Sequence, residues 1–292
     1  MIGEQCMVNA DTARQRQRQE WALSAPGWLE FRDNLSARSG TMTARILAEA
    51  APRPGDRVLD LACGIGNPTD ALAAAVGPTG TVLGLDLSPE MIAGARQWAE
   101  RAGAANVEFR VIPDERELGL PPEEFDVAVC RVGLQYMPEP DAALRAVHEA
   151  LVPGGRMVAT TLGDPGLCMA LRISSQVIAR HVPPPDGPPS GPGPVALSDA
   201  NRLRELFAGA GFTDVVVRPF ETALIEIGDA VACWHMFERT MGPLIALLAT
   251  MPADRARALR ADGVAALRAE FGAGPVVLTG QALLTSGTKP PR

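Results

Sequence analysis

The periodicity of apolar positions changes repeatedly along the chain. Val58, Leu59 and Leu61 form a short apolar run, as expected of a strand covered on both faces. Further runs of this kind lie at residues 81–86, 106–112 and 125–130. Helical spacing follows the first, second and fourth of these runs, through residues 70–76, 89–102 and 139–151. Gly77 and Gly103 are the expected helix stops. Asn67 is the expected cap of the first of these helices, with Pro68 as its opening residue, and Ser88 and Pro89 take the same two roles in the second. After the turn Pro153-Gly154-Gly155 come a fifth strand, helices near 165–181 and 198–211, and a sixth strand over 212–220. Helices over 229–248 and 252–271 precede a last strand at 275–285. Ahead of this alternation, residues 11–50 read as helix interrupted at Ala25-Pro26-Gly27, with a second helix from about Ser39 to Ala50. Strands alternating with helices predict an α/β fold on a mostly parallel sheet.

The first strand leads into Asp60-Leu-Ala-Cys-Gly-Ile-Gly66. Gly64 and Gly66 permit a sharp turn and close approach of backbone to a ligand. A strand, a glycine turn and a helix N-terminus together form a cofactor site at the carboxyl end of a parallel sheet. Asp86 ends the second strand about 20 residues later, where nucleotide-binding folds hold a ribose hydroxyl. The turn departs from the dinucleotide pattern G-x-G-x-x-G, since position 69 is Thr. An acid beside the turn suits a cationic amine better than a pyrophosphate.

On these residues the chain resembles the class I S-adenosylmethionine-dependent methyltransferases, whose first motif is acid-x-Gly-x-Gly-x-Gly. Ala62 stands here for the first Gly. The fourth-strand exit, Arg131-Val-Gly-Leu-Gln-Tyr-Met137, and Leu151-Val-Pro-Gly-Gly-Arg-Met157 resemble the ubiquinone/menaquinone-biosynthesis type. The resemblance implies a Rossmann-like seven-stranded sheet in the order 3-2-1-4-5-7-6, with strand 7 antiparallel, helices on both faces and a helical cap. It also implies S-adenosylmethionine as methyl donor, S-adenosylhomocysteine as product and no metal. The implied cofactor residues are Asp60, Ala62, Gly64, Gly66, Asn67, Asp86, Leu87, Met91, Asp114, Glu115 and Arg131. Asp114 matches the acid that meets the adenine amino group, although Pro113 replaces the usual Gly before it.

A single methyltransferase domain over 1–292 is expected. Its parts are an N-terminal helical lid (1–50), a cofactor-binding core (51–162), a Pro-rich lid insertion (163–200), completion of the sheet (201–228 and 273–288) and a helical cap (229–272). The run Val182–Pro194 holds too many Pro and Gly residues for helix or central strand, and a loop of that length suits a lid near the substrate entrance.

Composition narrows the function. The formal charge is −7 with a single Lys, so a nucleic-acid partner is not expected. No Asn/Asp-Pro-Pro-Tyr/Phe clamp for a base amine follows the fourth strand. No apolar run reaches the ~20 residues of a membrane span, and the polar first twenty residues lack the apolar centre of a secretory signal. Five cysteines, Cys6, Cys63, Cys130, Cys168 and Cys233, form no C-x-x-C pair, and a reducing cytoplasm is expected. A monomer or homodimer is expected.

Methyl transfer from a sulfonium is an in-line displacement, so alignment and exclusion of water supply much of the rate. Where the acceptor is a hydroxyl or carbon acid, a base assists. His235 and Tyr136 are the catalytic candidates. His148 reads as structural, and His181 borders the Pro-rich run. Trp21, Trp28, Gln135, Met137, Trp234 and Phe237 suit an apolar acceptor pocket. The expected reaction transfers a methyl group to an O, N or C atom of a small, largely apolar molecule in natural-product tailoring. The alternatives are non-methylating chemistry on the same fold, such as cyclisation, or cofactor-dependent regulation.

Overall fold

A computed structural model of the chain describes residues 9–34, 40–183 and 191–292. Cys6, Ser39 and the centre of the Pro-rich run lie outside the described residues. The seven strands are β1 (Arg57–Leu61), β2 (Thr81–Asp86), β3 (Val107–Val111), β4 (Phe125–Arg131), β5 (Leu151–Leu162), β6 (Thr213–Ile227) and β7 (Val276–Thr288). Their order is β3-β2-β1-β4-β5-β7-β6, with β7 antiparallel to both neighbours. This is the architecture expected from the resemblance.

The ten helices described are α1 (Ala10–Glu30), α2 (Gly40–Ala50), α3 (Thr69–Val76), α4 (Pro89–Ala102), α5 (Pro140–Ala150), α6 (Met169–Ala179), α7 (Ala200–Gly209), α8 (Ala230–Thr240), α9 (Gly242–Thr250) and α10 (Ala253–Phe271). The apolar runs of the strands serve both faces of the sheet. Leu59, Leu85 and Ala128 join Leu144 of α5 and Phe207 of α7 in one core. Val58, Val82 and Val129 join Ile46 of α2 and Leu72 of α3 in another. A third core packs α6, α8, α9 and α10 onto the ends of β6 and β7, around Trp234, Phe237, Leu259 and Leu267 with Ile227, Val276 and Leu278.

Local rules explain most helix boundaries. Ser88 Oγ accepts from the Met91 amide at 3.2 Å, and Gly103 closes the same helix in the left-handed region. Asp229 Oδ1 accepts from the amides of Val231 and Ala232, both at 2.9 Å.

Four boundaries differ from expectation. α1 runs straight through Pro26. Burial on either side outweighs the lost hydrogen bond, which costs ~3 kcal/mol in a helix interior: Ala25 packs with Ile65 and Met91, and Gly27 lies against the backbone of Arg239. α3 begins at Thr69, so Asn67 is not its cap; the Asn67–Pro68 bond is cis and Pro68 caps without a side-chain bond. The expected helix over 165–181 opens as a single 3-10 turn, Pro165–Leu167, before α6, because Asp164 caps that turn at the Gly166 amide. The expected helix over 229–248 is two helices: Gly242 packs on Glu20 of α1, and Pro243 starts the second.

Candidate active site

The carboxyl ends of β1, β2 and β4 meet below α1. Asp60, at the end of β1, is fully buried. Its Oδ2 accepts from the Thr69 hydroxyl at 2.6 Å, while its Oδ1 is buried without a partner. Burial pushes its carboxyl up to about 7, against the opposing pull of Thr69 and Arg131. Asp86, at the end of β2, reaches back to the glycine turn. Its Oδ2 accepts from the Gly64 amide and its Oδ1 from the Ser88 amide, each at 2.9 Å. Burial raises this acid as well, and those backbone bonds oppose the rise.

The turn between them needs left-handed backbone. Ala62, Gly64 and Gly66 have φ of 59°, 55° and 88°. A side chain at Gly64 would meet nothing within 4 Å, so the space in front of the turn is open. Ala62 takes the strained conformation without glycine's freedom. Its methyl group is accommodated by Gly133, where a Cβ would lie 2.5 Å from that of Ala62.

Two guanidinium groups surround the same turn. Arg131, from the end of β4, donates Nε–H to the Asn67 carbonyl at 3.3 Å. Arg32, just past α1, donates to the carbonyls of Ile65 and Gly66 and to Asp70, and its guanidinium stacks 4.8 Å from the Trp98 ring centre. Burial lowers the pKa of both. Arg32 was not foreseeable, because it acts on a turn 33 residues away through tertiary packing alone.

α1 covers this end of the sheet. Arg14 is 5% exposed and grips Glu115 with two bonds of 2.8 Å; its Nη2 also donates to Glu139 at 2.9 Å. Glu115 accepts in addition from the Glu139 amide at 2.9 Å. The bond to Glu115 holds the Arg14 guanidinium above its ordinary pKa. Arg18 donates to the Pro113 carbonyl at 2.6 Å. The Glu115 carboxylate is therefore committed to docking α1, and only its backbone is available to a nucleobase. Asp114 is bound to Arg116, which lowers its pKa. Met91 packs with Ala25 and Ile65, and Leu87 adjoins Asp86.

Beside the β4 exit, Trp21 meets Tyr136 edge-on at 5.1 Å and Trp28 at 6.2 Å. Burial, with Glu20 nearby, raises the Tyr136 hydroxyl. The Gln135 side-chain amide donates to the Pro194 carbonyl at 3.1 Å, and its backbone carbonyl accepts from the Gly193 amide at 2.9 Å. The end of the Pro-rich run is thereby tied to the β4 exit. Met137 packs against the core of that sheet face.

Three candidates lie elsewhere. His235 is half exposed on α8, with Glu30 at 3.5 Å and the Phe31 ring centre 6.0 Å from its own as its neighbours. Trp234 and Phe237 are buried in the helical core around α8 and α10, and the Trp234 indole donates to Glu238 at 2.9 Å. These two aromatics pack the core shared by α6, α8, α9 and α10. His148 stands edge-on to Phe212 at 5.0 Å, consistent with a packing role.

Residues 52–179 match the family profile described as a methyltransferase domain. Over these residues the chain carries a methyltransferase domain. The chain is 38% identical over 115 residues to the ubiquinone/menaquinone biosynthesis C-methyltransferase of Ectopseudomonas mendocina, covering 39% of this chain and 44% of that one. The chain thus spans less than half the length of that relative. It is 29% identical over 212 residues to the demethylmenaquinone methyltransferase of Geobacillus stearothermophilus, covering 68% and 88% of the two chains. A similar fold occurs in the Haemonchus contortus phosphoethanolamine N-methyltransferase 2, solved with phosphomonomethylethanolamine and S-adenosylhomocysteine. There the TM-score is 0.58 and the identity 21%, over 97% of this chain and 61% of that one.

The methyltransferase donor set here fits a cationic nucleoside. Asp60 offers a buried oxygen without a donor, Asp86 sits at the turn, and Gly64 leaves the approach clear. Among the described residues, no group of three or more His, Cys, Asp or Glu could hold a metal ion.

Proposed function

We propose that the chain binds S-adenosylmethionine at the β1–β2 edge and transfers its methyl group to an O, N or C atom of a small, largely apolar molecule. The observation that carries this reading is the unpartnered Oδ1 of fully buried Asp60, beside an open glycine turn already bonded to Asp86. Bound there, the cofactor supplies a methyl group activated by positive sulfur. Asp60 accepts from the amino group, Asp86 from the ribose hydroxyls through its remaining lone pairs, and Arg131 with Arg32 faces the carboxylate. The backbone at Asp114 and Glu115, together with Leu87 and Met91, bounds the adenine. α1 and the cap exclude water and orient the acceptor near Tyr136. His235 receives no chemical role, given its exposure and its contact with Glu30.

The lid and cap divisions at 1–50, 163–200 and 229–272 belong to the same reading. So does a tailoring role in natural-product biosynthesis, which the Pro-rich run and the helices inserted at 229–272 support as substrate-specific additions to the cofactor core. A cytoplasmic setting is supported by four buried free thiols, Cys63, Cys130, Cys168 and Cys233. No helix among the described residues is long and apolar enough to cross a membrane.

The site has a definite pH dependence. Asp60 must ionise to pair with an ammonium group, and its carboxyl lies near 7. Affinity for S-adenosylhomocysteine is therefore expected to be about tenfold lower at pH 6 than at pH 8. Asp60→Asn is expected to flatten that slope, as titration calorimetry across this range will show. The sign for ligand-free stability is opposite. A carboxyl raised from its unfolded value of 3.8 contributes stability fully present below that pH and lost as pH rises through about 7.

Calorimetry at pH 7.5 tests the donor assignment. S-adenosylhomocysteine should bind and NAD should not; the reverse pattern defeats the proposal. Release of S-adenosylhomocysteine during turnover separates methyl transfer from cyclisation or regulation.

A further inference from the structure

The buried side of α1 carries three stripes. Arg14, Arg18, Ala25 and Arg32 face the sheet edge, where they meet Glu115, Pro113, Ile65 and the glycine turn. Glu20 and Gly27 face the cap, against Gly242 and Arg239. At 3.6 residues per turn, Gln17, Trp21, Ser24 and Trp28 form a stripe between these two, pointing into the crevice where sheet and cap meet. The rings confirm the placement: Trp21 touches Tyr136 at the β4 exit, and the Trp28 indole donates to the Thr240 carbonyl at the end of α8, at 3.3 Å.

One polar atom on this stripe is buried without a partner. The Ser24 hydroxyl donates to the Trp21 carbonyl at 3.2 Å, and Trp28 has Thr240. The Gln17 side chain is 3% exposed, and its Oε1 has no partner. A buried acceptor left unpaired is costly, so such groups ordinarily meet a partner. Nothing in the cofactor assignment uses this oxygen, because the sheet-facing stripe lies between α1 and the glycine turn.

We propose that the Gln17–Trp28 stripe is the acceptor-binding wall, and that the Gln17 amide oxygen accepts a hydrogen bond from a donor on a flat, otherwise apolar acceptor. The indoles supply planar apolar surface for stacking. Gln17 supplies the one directional contact and acts as a specificity-determining residue. The inference deepens the methyltransferase reading and rests on it.

The test compares 2-naphthol with 2-methoxynaphthalene, which share a flat apolar body and differ in the donor. Equilibrium dialysis against protein saturated with S-adenosylhomocysteine should show 2-naphthol binding about tenfold tighter. Gln17→Leu should abolish that preference while leaving 2-methoxynaphthalene within about twofold of wild type, since the apolar wall remains. Its affinity for S-adenosylhomocysteine should be unchanged. Gln17→Met, nearer in shape, repeats the comparison if the Leu variant does not fold. Equal affinities in the wild type, binding of neither probe, or a preference that survives in the variants overturns the inference. Failure of S-adenosylhomocysteine to bind the wild type would defeat the donor assignment instead, and dialysis without it would still report on the wall.

Discussion

Replacing Asp86 with Ala is expected to weaken S-adenosylhomocysteine binding about 30- to 100-fold, the loss of charge-assisted bonds to two ribose hydroxyls. The carboxylate has two structural partners as well, the amides of Gly64 and Ser88. Removing it strands both beneath the surface and frees the glycine turn to move, so part of the affinity loss comes through the turn. Asp86→Asn separates these contributions: one amide oxygen can keep one backbone bond, but the charge is gone. Calorimetry on both variants, with circular dichroism as a check on folding, reads the effect. An unchanged affinity in Asp86→Ala would remove the ribose assignment.

Arg14→Met is expected to have the largest effect on stability. Arg14 and Glu115 are both nearly inaccessible, and they are joined by two bonds of 2.8 Å. Methionine keeps the apolar stem but leaves the Glu115 carboxylate buried without a cation, which typically costs about 3–5 kcal/mol. For a chain of this size that corresponds to a fall in Tm of roughly 5–8 °C. Because the pair joins α1 to the loop after β3, α1 should loosen before the sheet does. Trp21 and Trp28 would then move toward water, giving a red-shifted fluorescence and faster proteolysis between residues 10 and 34. Arg116→Ala is the contrasting case. Arg116 pairs with Asp11, Asp114 and Glu139 in water, so its loss should leave melting nearly unchanged. Equal melting of wild type and Arg14→Met would refute the role given to this pair.

The sequence disclosed the parts of the site whose cause is local. Val58 to Thr69 and Thr81 to Asp86 are short segments in which strand, turn and acid follow one another, so Asp60, Gly64, Gly66 and Asp86 could be placed by pattern alone. The sheet order came from resemblance to a family, since no local rule sets which strands pair. Contacts made across long loops stayed hidden. Arg14 and Glu115 are 101 residues apart, and an Arg among alternating Gln residues reads as a solvated face. Gln17 looks equally ordinary until the helix is packed on both sides.

Helix breakers misled in both directions. Pro26 reads as a break, yet the packing of Ala25 and Gly27 carries α1 through it. Residues 229–248 read as one helix, yet close packing of Gly242 on α1 divides it. The aromatic and Met-rich stretch around Trp234 suited a ligand pocket by composition, and Trp234, Met236 and Phe237 are buried in a core among α6, α8, α9 and α10. Burial within a subdomain and burial against a ligand favour the same side chains, so composition cannot distinguish them.

A crystal structure with S-adenosylhomocysteine bears most directly on the central claim. The nucleoside should lie across the ends of β1 and β2, with its amino group at Asp60 Oδ1 and its ribose at Asp86, beneath α1. Density for the nucleoside at any other place, or none at that edge in crystals soaked at saturating concentration, would contradict the assignment.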